Sequence, residues 1–183
     1  KLVLVDPASD ADALSEARAL AQLRHPNLLP AFEIGAHEGL PFVVTELVDG
    51  TDLRAWLAEQ RSPTDSVAVI VGLGRGLAEV HRAGFVHRDV KPENVFVERL
   101  RPRLGDFGVA REFGDGDGSR AVLPGTPAYM APEHRRGVRA DPRSDQFAFA
   151  VVTYEALAGH RPFQGDTIGA LLTAIERGQI HPL

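Results

Sequence analysis

Eight residues at 87–94, HRDVKPEN, constrain this chain more than any other stretch. They set an aspartate, a lysine and an asparagine at 89, 91 and 94, with Pro92 stiffening the backbone between them. A long helical pattern leads into the run, and an apolar VFV at 95–97 leads out of it. A loop this polar, fixed at both ends by apolar elements, presents its side chains in one arrangement. The question is which chemistry needs that set.

The flanking elements follow from periodicity and punctuation. Pro63 opens a helix expected over 64–83, which Gly84 ends. Inside it lies GLGRG at 72–76. A phosphate-binding loop would need a strand before it. Instead Val67, Ile70, Val71, Leu77 and Val80 carry helical spacing, so these glycines are expected to be close-packing positions on a helix. VFV and the residues 103–104 form a short hairpin around ERLRP. Upstream, KLVLV at 1–5 resembles the end of a strand stopped by Asp6-Pro7, and a start in mid-strand without methionine implies a fragment. A helix is expected over 9–23, then strands over 28–34 and 42–46 about a turn at 35–39. DGTDL at 49–53 connects into a short helix over 53–60. Residues 111–125, rich in Gly and Asp, are expected to be mobile. The segment 145–158 is apolar nearly all round and predicts a buried central helix, and a last amphipathic helix covers 167–177.

Composition narrows the function. Cysteine is absent, which excludes disulfides, thiolate metal sites and cysteine nucleophiles and suits a reducing compartment. No apolar stretch approaches the roughly 20 residues of a membrane helix, and no leader pattern stands at the N-terminus, so a cytoplasmic location is expected. The net charge of −5 predicts no nucleic-acid surface, and the arginines at 135, 136, 139 and 143 are read as a solvated basic face. Of 20 basic residues, 18 are arginine; the two lysines are Lys1 and Lys91. A lysine kept against that bias marks a site that wants a compact ammonium. Asparagine occurs only as Asn27 and Asn94, so HRDVKPEN holds one of each rarity.

A second acid, Asp106, stands in DFG at 106–108, just past the hairpin. A hard cation such as Mg²⁺ takes oxygen ligands, commonly one or two carboxylates together with substrate phosphates. An aspartate and an asparagine amide oxygen from neighbouring loops suit it. A further aspartate can accept a hydroxyl proton while a lysine offsets charge on a moving phosphoryl group. Capping and turn roles for Asp89, Asn94 and Asp106 are the plain alternative.

HRDVKPEN, DFG and GTPAYMAPE at 125–133, in this order, resemble the eukaryotic-like protein kinases, and the bacterial Ser/Thr branch fits best. SDQFAF and RPF, further on, continue the resemblance. It implies an α+β, two-lobed fold, with residues 1–48 a partial β-rich small lobe and 49–183 a partial, mainly helical large lobe. It implies ATP and Mg²⁺ as cofactors and a protein as substrate. Asp89 would be the catalytic base, Lys91 would contact the γ-phosphate, and Asn94 and Asp106 would hold the metal. Thr126 would shape the acceptor site. Lys1 would grip the α- and β-phosphates with Glu16 as its partner; an exposed terminal lysine and a solvated glutamate are the alternatives. Thr45 would stand beside the adenine with Glu46 to Val48 as the hinge, Asp52 would reach the ribose, and Phe96 would floor the pocket. His87 is expected to be a packed loop histidine, and Asp145 a helix-start aspartate bracing the catalytic loop.

In such kinases an arginine at the place of Arg88 pairs with a phosphate on the following segment. Ser119 is the one hydroxyl between Asp106 and Gly125 and is the expected autophosphorylation site, through self-association, with Thr126 second. The family's glycine-rich phosphate cover and the distant arginine that pairs with Glu133 have no counterpart in the sequence. The isolated chain is therefore expected to bind ATP weakly, with Glu133 a poorly compensated buried charge. A pseudokinase scaffold and a small-molecule phosphotransferase are the competing functions.

Overall fold

The computed structural model describes residues 2–4, 23–37, 40–106, 127–135, 138 and 140–182. Lys1, Glu16, Ser119 and Thr126 fall outside the described residues, as do the expected helix over 9–23 apart from its last residue and the glycine-rich stretch 111–125.

The first sheet has the order β1 (Leu2–Leu4), β3 (Leu40–Thr45), β2 (Ala31–His37), all antiparallel. The second is β4 (Thr51–Asp52), β5 (Val95–Glu98), β6 (Arg101–Leu104), also antiparallel. The helices are α1 (Leu53–Ala58), α2 (Pro63–Arg82), α3 (Pro132–Arg135), α4 (Pro142–Ala158) and α5 (Ile168–Arg177), with single 3₁₀ turns at Pro92–Asn94 and Pro127–Tyr129.

Two expectations about the strands need correcting. β2 starts at Ala31, not at 28, because Leu28 and Leu29 are recruited elsewhere. Leu29 N–H donates to Leu104 O at 2.8 Å, and Leu104 N–H to Asn27 O at 2.9 Å, so this segment lies parallel to β6 and joins the two sheets. β2 also continues through Gly35 to His37, which pairs with Leu40, so residues 35–37 belong to the strand and not to the expected turn at 35–39. A register shift between Ala31 and Glu33 leaves Phe32 outside the ladder and exposed.

α2 is the spine of the core. Ser62 caps its N-terminus by accepting from Asp65 N–H, Pro63 opens it, and His81 and Arg82 suit the negative end of its dipole. Val69, Leu73, Leu77 and Val80 are buried against Leu53, Val95, Leu104, Val151 and Val152. GLGRG is helical, as expected, and is a packing surface. A Cβ on Gly72 would come within 2.6 Å of Pro102, and one on Gly76 within 2.6 Å of the Asn27 carbonyl. The notch lets β6 and the 27–29 segment lie directly on the helix. α4 carries a capping box from Asp141 and Ser144 and ends at Gly159. It is buried on one side only, since Leu157 is exposed; all-round burial was expected. Its inner face mixes Val151 and Val152 with Asp145 and Glu155.

Candidate active site

The 87–94 loop hangs between the C-terminus of α2 and β5, and α4 fixes it from below. Asp145, 1% exposed in the first turn of α4, accepts three hydrogen bonds. His87 N–H reaches Oδ2 at 2.7 Å, Arg88 N–H reaches Oδ1 at 2.8 Å, and His81 Nε2 reaches Oδ2 at 2.8 Å. Such bonds hold a buried carboxylate and the loop backbone in one geometry. The bracing role expected of Asp145 is what the geometry provides.

His87 completes the frame. Its ring is buried, with Nε2 donating to Gly105 O at 3.1 Å and Nδ1 accepting from Asp89 N–H at 3.3 Å. Burial holds its pKa below the ordinary histidine value, although the charges of Asp145, Asp89 and Asp106 and the bond to Gly105 pull the other way. It is a packed loop histidine, as expected. Arg88, beside it, adopts φ +70°, a left-handed conformation that costs a non-glycine residue about 1 kcal/mol or more. That strained residue turns the chain so that Asp89 faces outward.

The three loop side chains meet at one carboxylate. Lys91 Nζ donates to Asp89 Oδ2 at 2.5 Å. Asn94 Nδ2 donates to the same oxygen and to Asp89 O, each at 2.8 Å. The Asn94 side chain is thereby oriented, nitrogen toward Asp89. The Asp89 side chain stays 36% exposed while Lys91 is 18% exposed. Asp106 is brought up by the backbone: Gly105 N–H donates to Asn94 O at 2.9 Å. Asp106 is exposed and has φ +57°, the second strained residue of the site.

Toward the first sheet, Thr45 ends β3 with its hydroxyl oxygen buried and without a hydrogen-bond partner among the described residues. Glu46 follows, its N–H on Pro30 O at 3.1 Å and its carboxylate on Arg103 Nη1 at 2.6 Å. Val48 is half-buried two residues on. Phe96 lies opposite Asp52 on one side and Arg103 on the other, with its ring edge close to Gly105. Asp52 has a structural job: its Oδ1 caps α1 by accepting from Ala55 N–H at 2.8 Å. Glu133, expected as a buried uncompensated charge, is half-buried and accepts from Ser144 Oγ at 3.1 Å.

The sequence reading passed over two clusters. Arg54 on α1 donates from Nε to Glu93 at 2.9 Å, from Nη1 to Glu155 at 2.5 Å and from Nη2 to the Tyr129 hydroxyl, which itself donates to Glu155 at 2.5 Å. Burial opposes the Arg54 charge, but bonds to Tyr129, Glu155 and Glu93 outweigh it and raise its pKa. Burial first, and then the bond to Glu155, raises that of Tyr129. The other cluster is Arg103 between Glu46 and Glu98. Neither has a local sequence signature, since each joins residues tens of positions apart.

An aspartate bonded by a lysine and an asparagine is thus tied, through the Gly105–Asn94 bond, to the strand end that leads into a second aspartate. The protein kinase domain model matches residues 2–180. This chain belongs to the protein kinase domain family. It is 43% identical over 166 residues to the serine/threonine-protein kinase PknL of Mycobacterium tuberculosis, covering 88% of this chain and 41% of that relative. The serine/threonine-protein kinase PkaB of Streptomyces coelicolor is 40% identical, with 94% of this chain and 45% of the relative covered. Pkn1 of Myxococcus xanthus, also a serine/threonine-protein kinase, is 33% identical, with 87% and 24% covered. The chain thus spans less than half the length of these curated relatives. The bacterial-type Ser/Thr kinase resemblance and the α+β kinase fold expected from the motifs are borne out.

Proposed function

We propose that the chain is the catalytic portion of a protein serine/threonine kinase, which moves the γ-phosphoryl group of ATP to a serine or threonine hydroxyl of a protein. The observation that carries this reading is the Asp89 carboxylate, fixed by Lys91 at 2.5 Å and by Asn94 at 2.8 Å yet still reachable from solvent. Both bonds fall on Oδ2, so Oδ1 is the oxygen turned to the acceptor hydroxyl, whose proton it takes. Lys91 offsets charge on the moving group. Asn94, its nitrogen committed to Asp89, offers its amide oxygen to a cation, and Asp106 offers its carboxylate.

That donor set fits Mg²⁺, which keeps substrate phosphates among its ligands. Among the described residues no three His, Cys, Asp or Glu side chains converge. Bound Mg²⁺ would supply positive charge to the phosphoryl oxygens. The buried Thr45 hydroxyl, without a partner among the described residues, suits a ligand bearing a polar edge, such as an adenine. In the same reading Glu46, Val48 and Phe96 enclose the base, and Asp52 meets the ribose with the oxygen its cap leaves over. Lys1 with Glu16 grips the inner phosphates, and Thr126 shapes the acceptor site.

The lobes divide near residue 48, supported by the two sheets, one lying wholly before residue 46 and the other beginning at 51. Self-association with phosphorylation at Ser119, and a cytoplasmic location, complete the reading. No helix among the described residues is long and apolar enough to cross a membrane.

The test is transfer of labelled phosphate from ATP and Mg²⁺ to a generic protein acceptor, followed by phosphoamino-acid analysis. Phosphoserine or phosphothreonine is expected, and Asp89→Asn should lower turnover about 10³-fold. Transfer to a sugar or aminoglycoside and to no protein, or full activity in Asp89→Asn, would overturn the proposal.

A further inference from the structure

Arg103 is a buried arginine, 8% exposed, with two of its nitrogens on carboxylates from different segments. Nη1 meets Glu46 at 2.6 Å and Nη2 meets Glu98 at 2.9 Å. Glu98 closes the hairpin that holds Arg103, so that bond is local. The Glu46 bond is not. It runs from β6 to the segment after Thr45, 57 positions earlier in the chain.

β6 is fixed more firmly than its length suggests. Leu104 exchanges hydrogen bonds with the 27–29 segment at 2.8 and 2.9 Å, and Asn27 Nδ2 donates to Pro102 O at 2.9 Å. The next residue, Gly105, donates to Asn94 O and accepts from His87. Asp106 follows directly. A guanidinium rooted on this strand therefore inherits the position of the Asn94–Asp106 pair and transmits it to Glu46. Phe96, directly across from Arg103 in the ladder, lies on the same face of the hairpin. The planar guanidinium presents Nη1 and Nη2 to the two carboxylates in a fixed fork, a geometry that the single nitrogen of a lysine does not reproduce.

We infer that Arg103 is a positioning residue for the nucleotide: through Glu46 it sets the spacing between the segment that meets the base and the loop pair that holds the phosphate end. The inference rests on the kinase reading above. Its effect falls on nucleotide affinity, while the acceptor site, built by other segments, is left unchanged.

The experiment uses the full-length protein and a fluorescent ADP analogue with Mg²⁺. Arg103→Gln should raise the nucleotide Kd roughly tenfold, the scale of a displacement that spoils alignment without touching the reacting atoms. Glu46→Gln should do the same, and the double variant should be no worse than either single one, because the two act through one contact. Glu98→Gln, which leaves the long-range pair in place, should stay within about twofold of wild type. The KM for a protein acceptor should not move in any of them. If Arg103→Gln does not fold, Glu46→Gln carries the test, since that side chain is 40% exposed. Folded variants that bind nucleotide as wild type does, or single effects that add in the double variant, would overturn the inference. Wild-type protein that binds no nucleotide would remove the kinase reading first and this inference with it, a result distinct from either.

Discussion

The 87–94 loop and the segment around Thr45 handle buried polar atoms in opposite ways. In the loop, the Asp145 carboxylate, the His87 ring and the Asn94 amide nitrogen all pair within the protein. At Thr45 a hydroxyl oxygen is buried with no partner among the described residues. An unsatisfied buried group costs about 1–3 kcal/mol. Among the described residues, one end of the candidate site is thus paired before anything binds, and the other leaves a polar atom for a ligand to meet. In the proposed kinase reading, phosphoryl transfer depends on preorganised charge, which rewards rigidity at the aspartates. Recognition of a base can leave one bond for the ligand to make.

The largest expected effect tests the rigid end. Asp145→Ala strips two loop N–H groups and His81 of their acceptor at once. It should lower stability by roughly 3 kcal/mol in chemical denaturation and lower turnover about 100-fold through loss of loop geometry. A variant with near-normal turnover would mean the loop holds itself, and the contrast would fail.

A smaller effect comes from His87, whose folded pKa lies below its unfolded value of 6.5. The unfolded chain takes the proton first as pH falls. The stability this group contributes is therefore complete above 6.5 and is lost as pH drops through 6.5 toward the depressed folded value, with a slope of at most about 1.4 kcal/mol per pH unit. His87→Gln keeps an N–H for Gly105 O and removes the titration. Its denaturation midpoint should change less than that of wild type between about pH 7 and about pH 5. Equal slopes would mean that His87 carries no part of the acid sensitivity.

The smallest effect has the opposite sign. Thr45→Val removes the unpaired hydroxyl at nearly constant shape. It should stabilise the protein by roughly 1 kcal/mol while weakening nucleotide binding severalfold. Destabilisation instead would show that the hydroxyl already has a partner in the folded protein and would erase the difference between the two ends.

Much of the site was legible because its residue types stand at fixed spacing within short motifs. Asp89, Lys91 and Asn94 come together over six residues, and the Asp145 brace was expected from its place at a helix start. α2 was legible from periodicity, which also kept its glycines from being read as a phosphate loop. What escaped was set by distant pairing. Leu28 and Leu29 have the composition of a strand continuing into β2, but bonds to Leu104 draw them to β6. Asn27, one of only two asparagines, binds a carbonyl 75 positions away. In a chain with 18 arginines, nothing local separates Arg54 and Arg103 from the solvated ones. Asp52 was placed at the ribose by the resemblance alone, whereas its position one residue before α1 makes it a cap.

Arg88 and Asp106 share left-handed backbone angles that glycine would adopt without strain. A mutant library screened only for yield or heat resistance would therefore tend to enrich glycine at both positions. In the proposed kinase reading, its winners would fold better and phosphorylate worse, so selection on robustness alone would lead away from that activity.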